Sequence, residues 1–319
     1  MKDCRHSAGL RLREVEASRC DMSNFGNIRG PKTLSTGALL GICVILTSVA
    51  VGPVQAFWGD SHSILTRAAV QALPEDVPAF FRDGIETVVH VSFDADIIKN
   101  SQLAHVTSAE NPEHYLNPER LQGRALPATR YEFIALCREL DVAPERVGLL
   151  PYAILEATEI LVVALAEYRK FPEVEAIQMK CLIRAGMLAH YAQDLAHPLH
   201  VTKDYNGRKM SDGTVVGEGI HESVDSMVER IEMDPSLLAT SASVIAYDDL
   251  FAAVMGQLED SFARVNRVYE LTHDLDPLTE SGQAFATERA DRAASFTASL
   301  FLTAWRMSEG VRLPGWLRR

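Results

Sequence analysis

The chain of 319 residues is long enough for one large domain or two small ones, and its apolar fraction of 47% is ordinary for a globular protein rather than a disordered one. The formal net charge is −12; residues 1–56 hold seven Lys/Arg and four Asp/Glu, so residues 57–319 carry −15. Such an acidic body argues against a broad basic groove for nucleic acid, although bound metal ions would reverse the sign locally.

The first 56 residues are typical of an export leader. Basic residues are spread over residues 1–33, residues 34–56 carry no charge, and Val54-Gln55-Ala56 places small side chains where signal peptidase prefers them. We therefore expect cleavage after Ala56, a secreted or periplasmic protein, and no transmembrane segment after cleavage. Met22 is an alternative start that leaves a shorter leader. An uncleaved membrane anchor is the other alternative, but the continuous apolar run is short for a span.

Two cysteines remain once the leader is removed, Cys137 and Cys181. In an oxidising compartment they suffice for one disulfide. A buried pair of free thiols is the equally weighted alternative, so the sequence leaves both open.

Apolar residues recur at helical spacing through most of the remaining chain, and no alternating strand pattern extends beyond a few residues. Helices are predicted over residues 61–73, 77–91, 131–140, 152–170, 173–197, 220–233, about 244–272 and 279–309. The polar segment 92–128 is predicted to be irregular, and such a long loop in a compact domain usually carries function. Residues 204–219 form a Gly-rich loop. The prediction is an all-α, single-domain helical bundle.

The segment 190–200, HYAQDLAHPLH, concentrates residues that carry chemistry. His190 and Asp194 are four residues apart and so lie on one face of a helix, where both side chains reach one point. Pro198 ends the helix because it lacks an N–H, and His200 is predicted to follow in an extended exit.

A second pair with the same spacing, His221 and Asp225, follows on another predicted helix. Histidine and aspartate are ligands that zinc accepts, and their repetition is typical of a multinuclear zinc site. A single histidine on an apolar helix face is more often structural. His200, placed between the two pairs, makes a metal site the more specific interpretation.

These motifs resemble those of a known superfamily. HYAQDLAHPLHV, followed by GIHESVD, is similar to the signature of the zinc-dependent phospholipases C and the fungal single-strand-specific nucleases. His114 in EHYLN and the segment GLLPY (148–152) extend the resemblance, which covers most of residues 57–310. The resemblance implies an all-α domain with a cleft for three zinc ions.

Carried over residue by residue, the resemblance also implies three sets of ligands. The first zinc would take Asp96, His114, His190 and Asp194; the second would take His200, His221 and Asp225; the third would take the amine and carbonyl of a mature N-terminal Phe57, with His62 and a bridging Asp194.

At two of these positions, a nearby residue is an alternative metal ligand. The spacing to His62 and cleavage after Ala56 both favour Phe57 as the first mature residue, although the family suggests Trp58. Asp94 is an alternative to Asp96. Asp96 is preferred because Lys99 follows it at the position where the nucleases hold an arginine that contacts phosphate.

The resemblance implies catalytic and substrate-binding roles as well. A water activated by zinc would attack phosphorus, Asp96 would orient or deprotonate that water, and Lys99 would neutralise developing charge. Tyr115 would stack on a base, and Asn117, where the nucleases have aspartate, would bond the edge of the base. His197 stands where glutamine is expected and is interpreted as a supporting or structural residue.

The sequence therefore predicts a zinc-dependent hydrolase of phosphoester bonds. The first hypothesis is a phosphodiesterase that cleaves single-stranded nucleic acid and removes 3′-phosphates from nucleotides. The alternative is a zinc-dependent phospholipase C that releases phosphorylated head groups from phospholipids. A helical protein with one structural zinc and no catalysis is the rival from a different class. No stable protein partner is predicted.

Overall fold

Helices account for almost all regular structure in residues 58–318, the part of the chain that the computed structural model describes. These residues form the all-α, single-domain fold that the sequence predicts. The predicted leader and Phe57 lie outside the described residues. Within residues 58–318, no helix has the length and apolar character needed to cross a bilayer.

The helices α1 to α14 are, in chain order, Trp58–Gln71, Ala79–Asp83, Ile85–Val91, Asp94–Lys99, Ala104–Glu110, Arg130–Glu139, Pro144–Val147, Leu150–Lys170, Glu175–Ala196, Ile220–Asp225, Met227–Arg230, Pro235–Ser241, Leu250–Glu270 and Glu280–Met307. Short 3-10 turns lie at Asn111–His114, Pro118–Leu121, Pro198–Val201 and Ser308–Gly310. One antiparallel hairpin pairs β1 (Arg208–Lys209) with β2 (Val215–Val216).

Helix α9 is the central helix, and it packs against α3, α8 and α14. Almost every residue in its C-terminal half is buried, and the small side chains of Ala185, Ala189 and Ala192 let neighbours approach from several sides. A helix buried on all its faces is expected at the centre of a domain. His190 and Asp194 lie in this half, so the packed core fixes the backbone that carries them.

Two apolar clusters meet along the end of α9. The larger includes Leu188 and Leu195 of α9, and the smaller includes Ala196 and Leu199 with residues of α1, α10, α11 and α14. The chain therefore passes from one cluster to the other at the C-terminus of α9, where the predicted ligands lie.

Gly186 allows α3 to approach α9 closely. A Cβ placed at Gly186 would lie 2.6 Å from Val91 Cβ and 2.8 Å from the Val88 carbonyl oxygen, both in α3. The residue that follows α3 is Ser92, whose carbonyl contacts His190. The distance between these two helices therefore sets the position of a predicted ligand.

Gly186→Ala should destabilise the fold by roughly 1–3 kcal/mol, because the added methyl must push α3 away. Chemical denaturation measures the loss. The matched control is Gly256→Ala in α13, where nothing lies within 4 Å of the added Cβ. The higher helix propensity of alanine should make that control equally stable or more stable by up to about 1 kcal/mol. Equal stability of the two variants would contradict the close approach of α3 to α9.

Some predicted boundaries are wrong for identifiable reasons. The helix predicted over 77–91 is divided at Gly84, where the side chain of Leu182 occupies the space that a Cβ would fill. The segment 92–128, predicted to be irregular, contains α4 and α5, which are too short for a helical period to be recognised.

The second half shows similar differences. The helix predicted over 220–233 is divided into α10 and α11 at Ser226. The helix predicted over about 244–272 corresponds to α13, and the short helix α12, which precedes that range, is not predicted. Asp249 begins α13, because its side chain accepts a hydrogen bond from the Ala252 N–H. His200 lies in a 3-10 turn and not in an extended exit.

Cys137 of α6 and Cys181 of α9 are both buried and free. Of the two alternatives that the sequence leaves open, the structure has the free thiols and not the disulfide. Burial raises the pKa of the Cys181 thiol to about 12, so this group is protonated and unreactive at neutral pH.

Candidate metal centre

The C-terminus of α9 meets α1, α4 and α10 around a cavity of about 80 Å³. The predicted site residues in its wall are His62, Asp96, Lys99, Asp194, His200, His221 and Asp225. His114 and His190 contact Asp194 from the buried side. The structure thus brings together every predicted ligand that lies within residues 58–318.

Potential ligand atoms in this region form three groups, each with its atoms within 4.8 Å of one another. The groups are His62, His190 and Asp194; Asp96, His114 and His190; and His197, His200 and Asp225.

Two carboxylates and two imidazoles form the most buried part of the centre. Asp194 Oδ2 is 3.0 Å from His114 Nδ1 and 3.4 Å from His190 Nε2. Asp96 Oδ1 lies 3.7 Å from His114 Nδ1 and 3.9 Å from His190 Nε2. Ligand atoms bound to one tetrahedral zinc ion are roughly 3.3 Å apart. Each carboxylate therefore lies from both imidazoles at distances close to those around one such ion.

The other oxygen of Asp194 faces different rings. Asp194 Oδ1 is 3.7 Å from His62 Nε2 and 3.5 Å from His200 Nδ1. The ring of His62 stacks on that of His190, with centroids 4.2 Å apart. Because Oδ2 faces His114 and His190 while Oδ1 faces His62 Nε2, this carboxylate has the geometry needed to bridge two ions.

Asp225 is the centre of the remaining group. Its Oδ2 atom lies 3.3 Å from His221 Nε2, and its Oδ1 atom lies 3.8 Å from His200 Nε2. His197 Nε2 is closer, at 3.0 Å from Oδ1. His221 of α10 and the two histidines of the turn after α9, His197 and His200, thus all lie near the carboxylate of Asp225.

Four imidazoles are held from outside by an oxygen atom that accepts a hydrogen bond from Nδ1. The pairs are His62 to Gln193 Oε1 at 2.6 Å, His190 to the Ser92 carbonyl at 2.7 Å, His200 to the His114 carbonyl at 2.7 Å, and His221 to the Tyr205 carbonyl at 3.3 Å. Since oxygen accepts, Nδ1 carries the hydrogen, so Nε2 has the lone pair whenever the ring is neutral. Metal-binding histidines are typically oriented in this way.

His114 presents the opposite nitrogen to the centre. Its Nδ1 faces Asp194, and its Nε2 lies 3.6 Å from Glu110 Oε1. Glu110 is itself fixed, because it accepts a hydrogen bond of 2.5 Å from the Tyr191 hydroxyl. In addition, the Leu116 N–H donates to the His200 carbonyl at 2.9 Å. The backbone around His114 is therefore tied to the backbone around His200.

His197 is oriented differently from the four imidazoles whose Nδ1 donates to an oxygen atom. Its Nδ1 accepts a hydrogen bond of 3.1 Å from the Leu199 N–H, so the neutral ring carries its hydrogen on Nε2. That nitrogen lies near Asp225 and has no lone pair for a metal. The geometry therefore favours a role for His197 in orienting Asp225 over a role as a metal ligand.

At four side chains of the centre, burial and charge set the protonation state that a metal ion requires. Burial and repulsion from neighbouring imidazoles lower the pKa of His62 and of His221 to about 4 each. Burial alone would raise the pKa of Asp194 and Asp225, but the surrounding imidazoles hold both pKa values well below the usual range. Neutral imidazoles and ionised carboxylates are the forms that bind metals.

Asp96, and not Asp94, is the carboxylate of α4 that reaches the centre. Asp96 forms a group with His114 and His190, whereas Asp94 belongs to none of the groups within residues 58–318. Asp96 Oδ1 lies 2.5 Å from Lys99 Nζ. Burial alone would raise the pKa of Asp96, but His190 and Lys99 lower it below the ordinary value.

A second cavity, of about 400 Å³, adjoins the first, and Lys99, His200 and His221 line both. The predicted substrate-binding residues Tyr115 and Asn117 line this second cavity. The structure therefore places them close to Lys99 and to the candidate ligands His200 and His221.

Tyr115 and Asn117 are held in place by the backbone of the segment before α8. The Tyr115 hydroxyl donates to the Glu145 carbonyl at 2.5 Å, and Asn117 Nδ2 donates to the Arg146 carbonyl at 3.1 Å. Gly148 has a φ of +99°, and a Cβ there would lie 2.0 Å from the Tyr115 carbonyl oxygen. The glycine of GLLPY thus permits the close approach that positions Tyr115.

Several residues of the site are not identified by the sequence. Ser92 and Tyr205 contribute backbone carbonyls, which leave no trace in a sequence. Gln193 precedes Asp194 in the central motif, so its position is a signal that could have been read. Arg120 and Arg146 reach the second cavity only through the fold of the segment 92–149.

No known protein-family model and no curated protein matches the chain. Among solved structures, the chain is similar to an alpha toxin from Clostridium absonum, with 11% sequence identity and a TM-score of 0.40. The similarity covers 77% of this chain and 63% of the toxin chain, so the chain spans less than two thirds of the toxin's length. The interpretation of the site therefore rests on its own residues.

Proposed function

We propose that this protein is a zinc-dependent hydrolase of phosphoester bonds, most specifically a phosphodiesterase acting on single-stranded nucleic acid and on 3′-phosphates. One observation carries the proposal furthest. The Nε2 atoms of four imidazoles, each ring held by an oxygen atom at its Nδ1, converge with Asp194 and Asp225. Imidazole and carboxylate together are a typical donor set for zinc.

Three ions would be held at the first cavity, by residues of its wall together with His114, His190 and a mature Phe57. One would bind Asp96, His114, His190 and Asp194; another would bind His200, His221 and Asp225; the third would bind His62, Asp194 and the amine and carbonyl of a mature Phe57. Of this third set, His62 and Asp194 lie within residues 58–318, where their ligand atoms belong to one group. The proposal makes leader cleavage a requirement for complete metal loading.

When bound, zinc would lower the pKa of a water molecule to roughly 7 and neutralise charge on the phosphoryl oxygens. Asp96 is ionised next to Lys99, so it can hold the proton of an attacking water. Lys99 faces both cavities and can place its ammonium against a phosphate oxygen. The ions would also supply a positive field that the acidic body lacks.

A phospholipase C is the second candidate, and one surface feature favours it. Three large apolar side chains are exposed in the segment that contains Lys99: Ile97 is 57% exposed, Leu103 is 65% exposed, and Val106 is 42% exposed. Exposed apolar groups of this kind suit contact with a lipid surface.

Metal content and substrate turnover test the proposal. The full chain, produced with its own leader in an exporting host, should contain about three zinc ions and release phosphate from a 3′-nucleotide. It should cleave single-stranded DNA faster than it releases head groups from phosphatidylcholine vesicles. Head-group release without nucleotide turnover would favour the phospholipase. Zinc binding without turnover of any of these substrates would favour a structural zinc, and a zinc-free chain would contradict the centre itself.

A further inference from the structure

The second cavity carries positive charge in an otherwise acidic protein. Besides Lys99, its wall contains Arg120 and Arg146, and its single acidic residue is Glu145. Lys99 is paired with Asp96, whereas neither arginine forms an ion pair with a carboxylate among residues 58–318. The two arginines are therefore available to an anion from solution.

Arg120 is the more informative of the two arginines. Its Nε atom is buried and has no hydrogen-bond acceptor in the described part of the chain. A buried donor without an acceptor is costly, so a shift of the guanidinium towards a phosphate oxygen in the cavity would be favourable. Arg146 lies at the same cavity and is exposed, which suits a charge that meets a ligand as it enters.

Tyr205 adds an exposed aromatic ring to the same wall. Its side chain is 55% exposed, and its ring lies edge-on to His221 with centroids 5.7 Å apart. The Tyr205 carbonyl holds His221, so the residue is fixed to the metal centre through its backbone. The ring face thus remains open beside the arginines, where a planar base can stack on it.

We propose that this cavity is a subsite for the nucleotide next to the scissile phosphate, in which Arg120 and Arg146 bind the neighbouring phosphate and Tyr205 stacks on its base. The proposal rests on the phosphoesterase function and names its substrate class: single-stranded oligonucleotides with at least two internucleotide phosphates. In a zwitterionic phosphocholine head group, the two arginines would repel the quaternary ammonium.

Equilibrium binding separates this subsite from the metal centre. The probes are thymidine oligonucleotides with slowly hydrolysed phosphorothioate linkages, a dimer with one linkage and a trimer with two. The zinc-loaded protein should bind the trimer about tenfold more tightly than the dimer, because charge-assisted hydrogen bonds reach the second linkage. Arg120→Gln combined with Arg146→Gln should remove that preference. The salt dependence of trimer binding should fall by about 0.7 in log–log slope for each arginine removed.

Arg124→Gln is the matched control, since Arg124 pairs with Glu139 at 3.4 Å and lies outside the cavity wall. It should keep the full preference for the trimer. Tyr205→Leu should weaken trimer binding by roughly fivefold or more through lost stacking. A wild-type protein that binds both probes equally, or a preference that survives in the arginine double variant, would overturn the subsite.

The two proposals fail in different ways. Preferential, arginine-dependent binding of the trimer without cleavage of ordinary oligonucleotides would keep the subsite and reject the hydrolase. Cleavage of oligonucleotides with equal affinity for the two probes would keep the hydrolase and reject the subsite. Turnover of phosphatidylcholine that is unchanged in the arginine double variant, with no binding of either probe, would also reject the subsite.

Discussion

Asp194→Asn should remove more than one zinc ion per chain and lower hydrolysis on the order of a thousandfold, since several kcal/mol of charge stabilisation would be lost. Asp194 Oδ2 faces His114 and His190, while Oδ1 faces His62. Asparagine keeps the size of the side chain but offers one neutral oxygen. Two of the proposed ions would therefore lose a charged ligand through one substitution.

The comparison is Asp225→Asn, which should remove one ion only. Asp225 contacts His221, His200 and His197, and it belongs to only one of the three groups of potential ligand atoms in residues 58–318. Elemental analysis of both purified variants gives the number of zinc ions, and circular dichroism shows whether the helical fold is retained. Equal zinc loss in the two folded variants would refute the bridging role of Asp194.

Removal of zinc with a chelator should lower the free energy of unfolding by more than about 4 kcal/mol, as expected for ions present at a thousand times their dissociation constants. The melting temperature should fall by more than about 8 °C. The physical reason is that the ionised carboxylates of Asp194 and Asp225 are buried, and only the imidazoles then compensate their charge. Thermal unfolding with and without chelator measures the difference.

The stability of the chelated protein should also fall as the pH rises from 6.5 to 9. Burial alone would lower the pKa of His200, but attraction to Asp194 and Asp225 raises it from the ordinary 6.5 to about 9. The folded state therefore holds a proton that the unfolded state releases above pH 6.5, and this stabilisation is lost as the pH passes 9. The zinc-loaded protein should lack this alkaline loss, because a bound imidazole is neutral. Equal losses of stability in the chelated and the zinc-loaded protein between pH 6.5 and 9 would contradict the prediction.

Below pH 6.5, stability should change with pH in the opposite direction. The pKa values of His62 and His221 are lowered to about 4, so the unfolded chain takes up protons near pH 6.5 before the folded chain does. Stability should fall as the pH drops from 6.5 to 4, and protons should displace zinc over the same range. Zinc retained at pH 4 in a dialysis experiment would contradict this expectation.

The long helices are predictable because each buries a broad apolar face. The period of α8, α9, α13 and α14 extends over enough turns to be recognised, and caps such as Asp249 then set the ends. Helices of one or two turns, such as α4 and α11, bury too few residues to show a period. Their positions follow from the packing of the finished domain.

The candidate ligands are predictable to a similar extent. His190, Asp194, His221 and Asp225 are recognised because helical spacing places each pair on one face. What holds the rings is not predictable, since the Ser92 carbonyl reaches His190 only because Gly186 lets α3 lie against α9. The orientation of His197 is equally hidden, because it depends on one backbone N–H in the turn after α9.

The hydrogen bond from His200 Nδ1 to the His114 carbonyl has a consequence for the order in which ions are loaded. The two residues belong to different proposed ions, and the Leu116 N–H returns a bond to the His200 carbonyl. The first ion to bind would therefore immobilise a ring and a stretch of backbone that the next ion needs, so that the later ion loses less conformational entropy on binding. Zinc titrations of the apoprotein should be sigmoidal, with partly loaded chains rarer than independent sites would give.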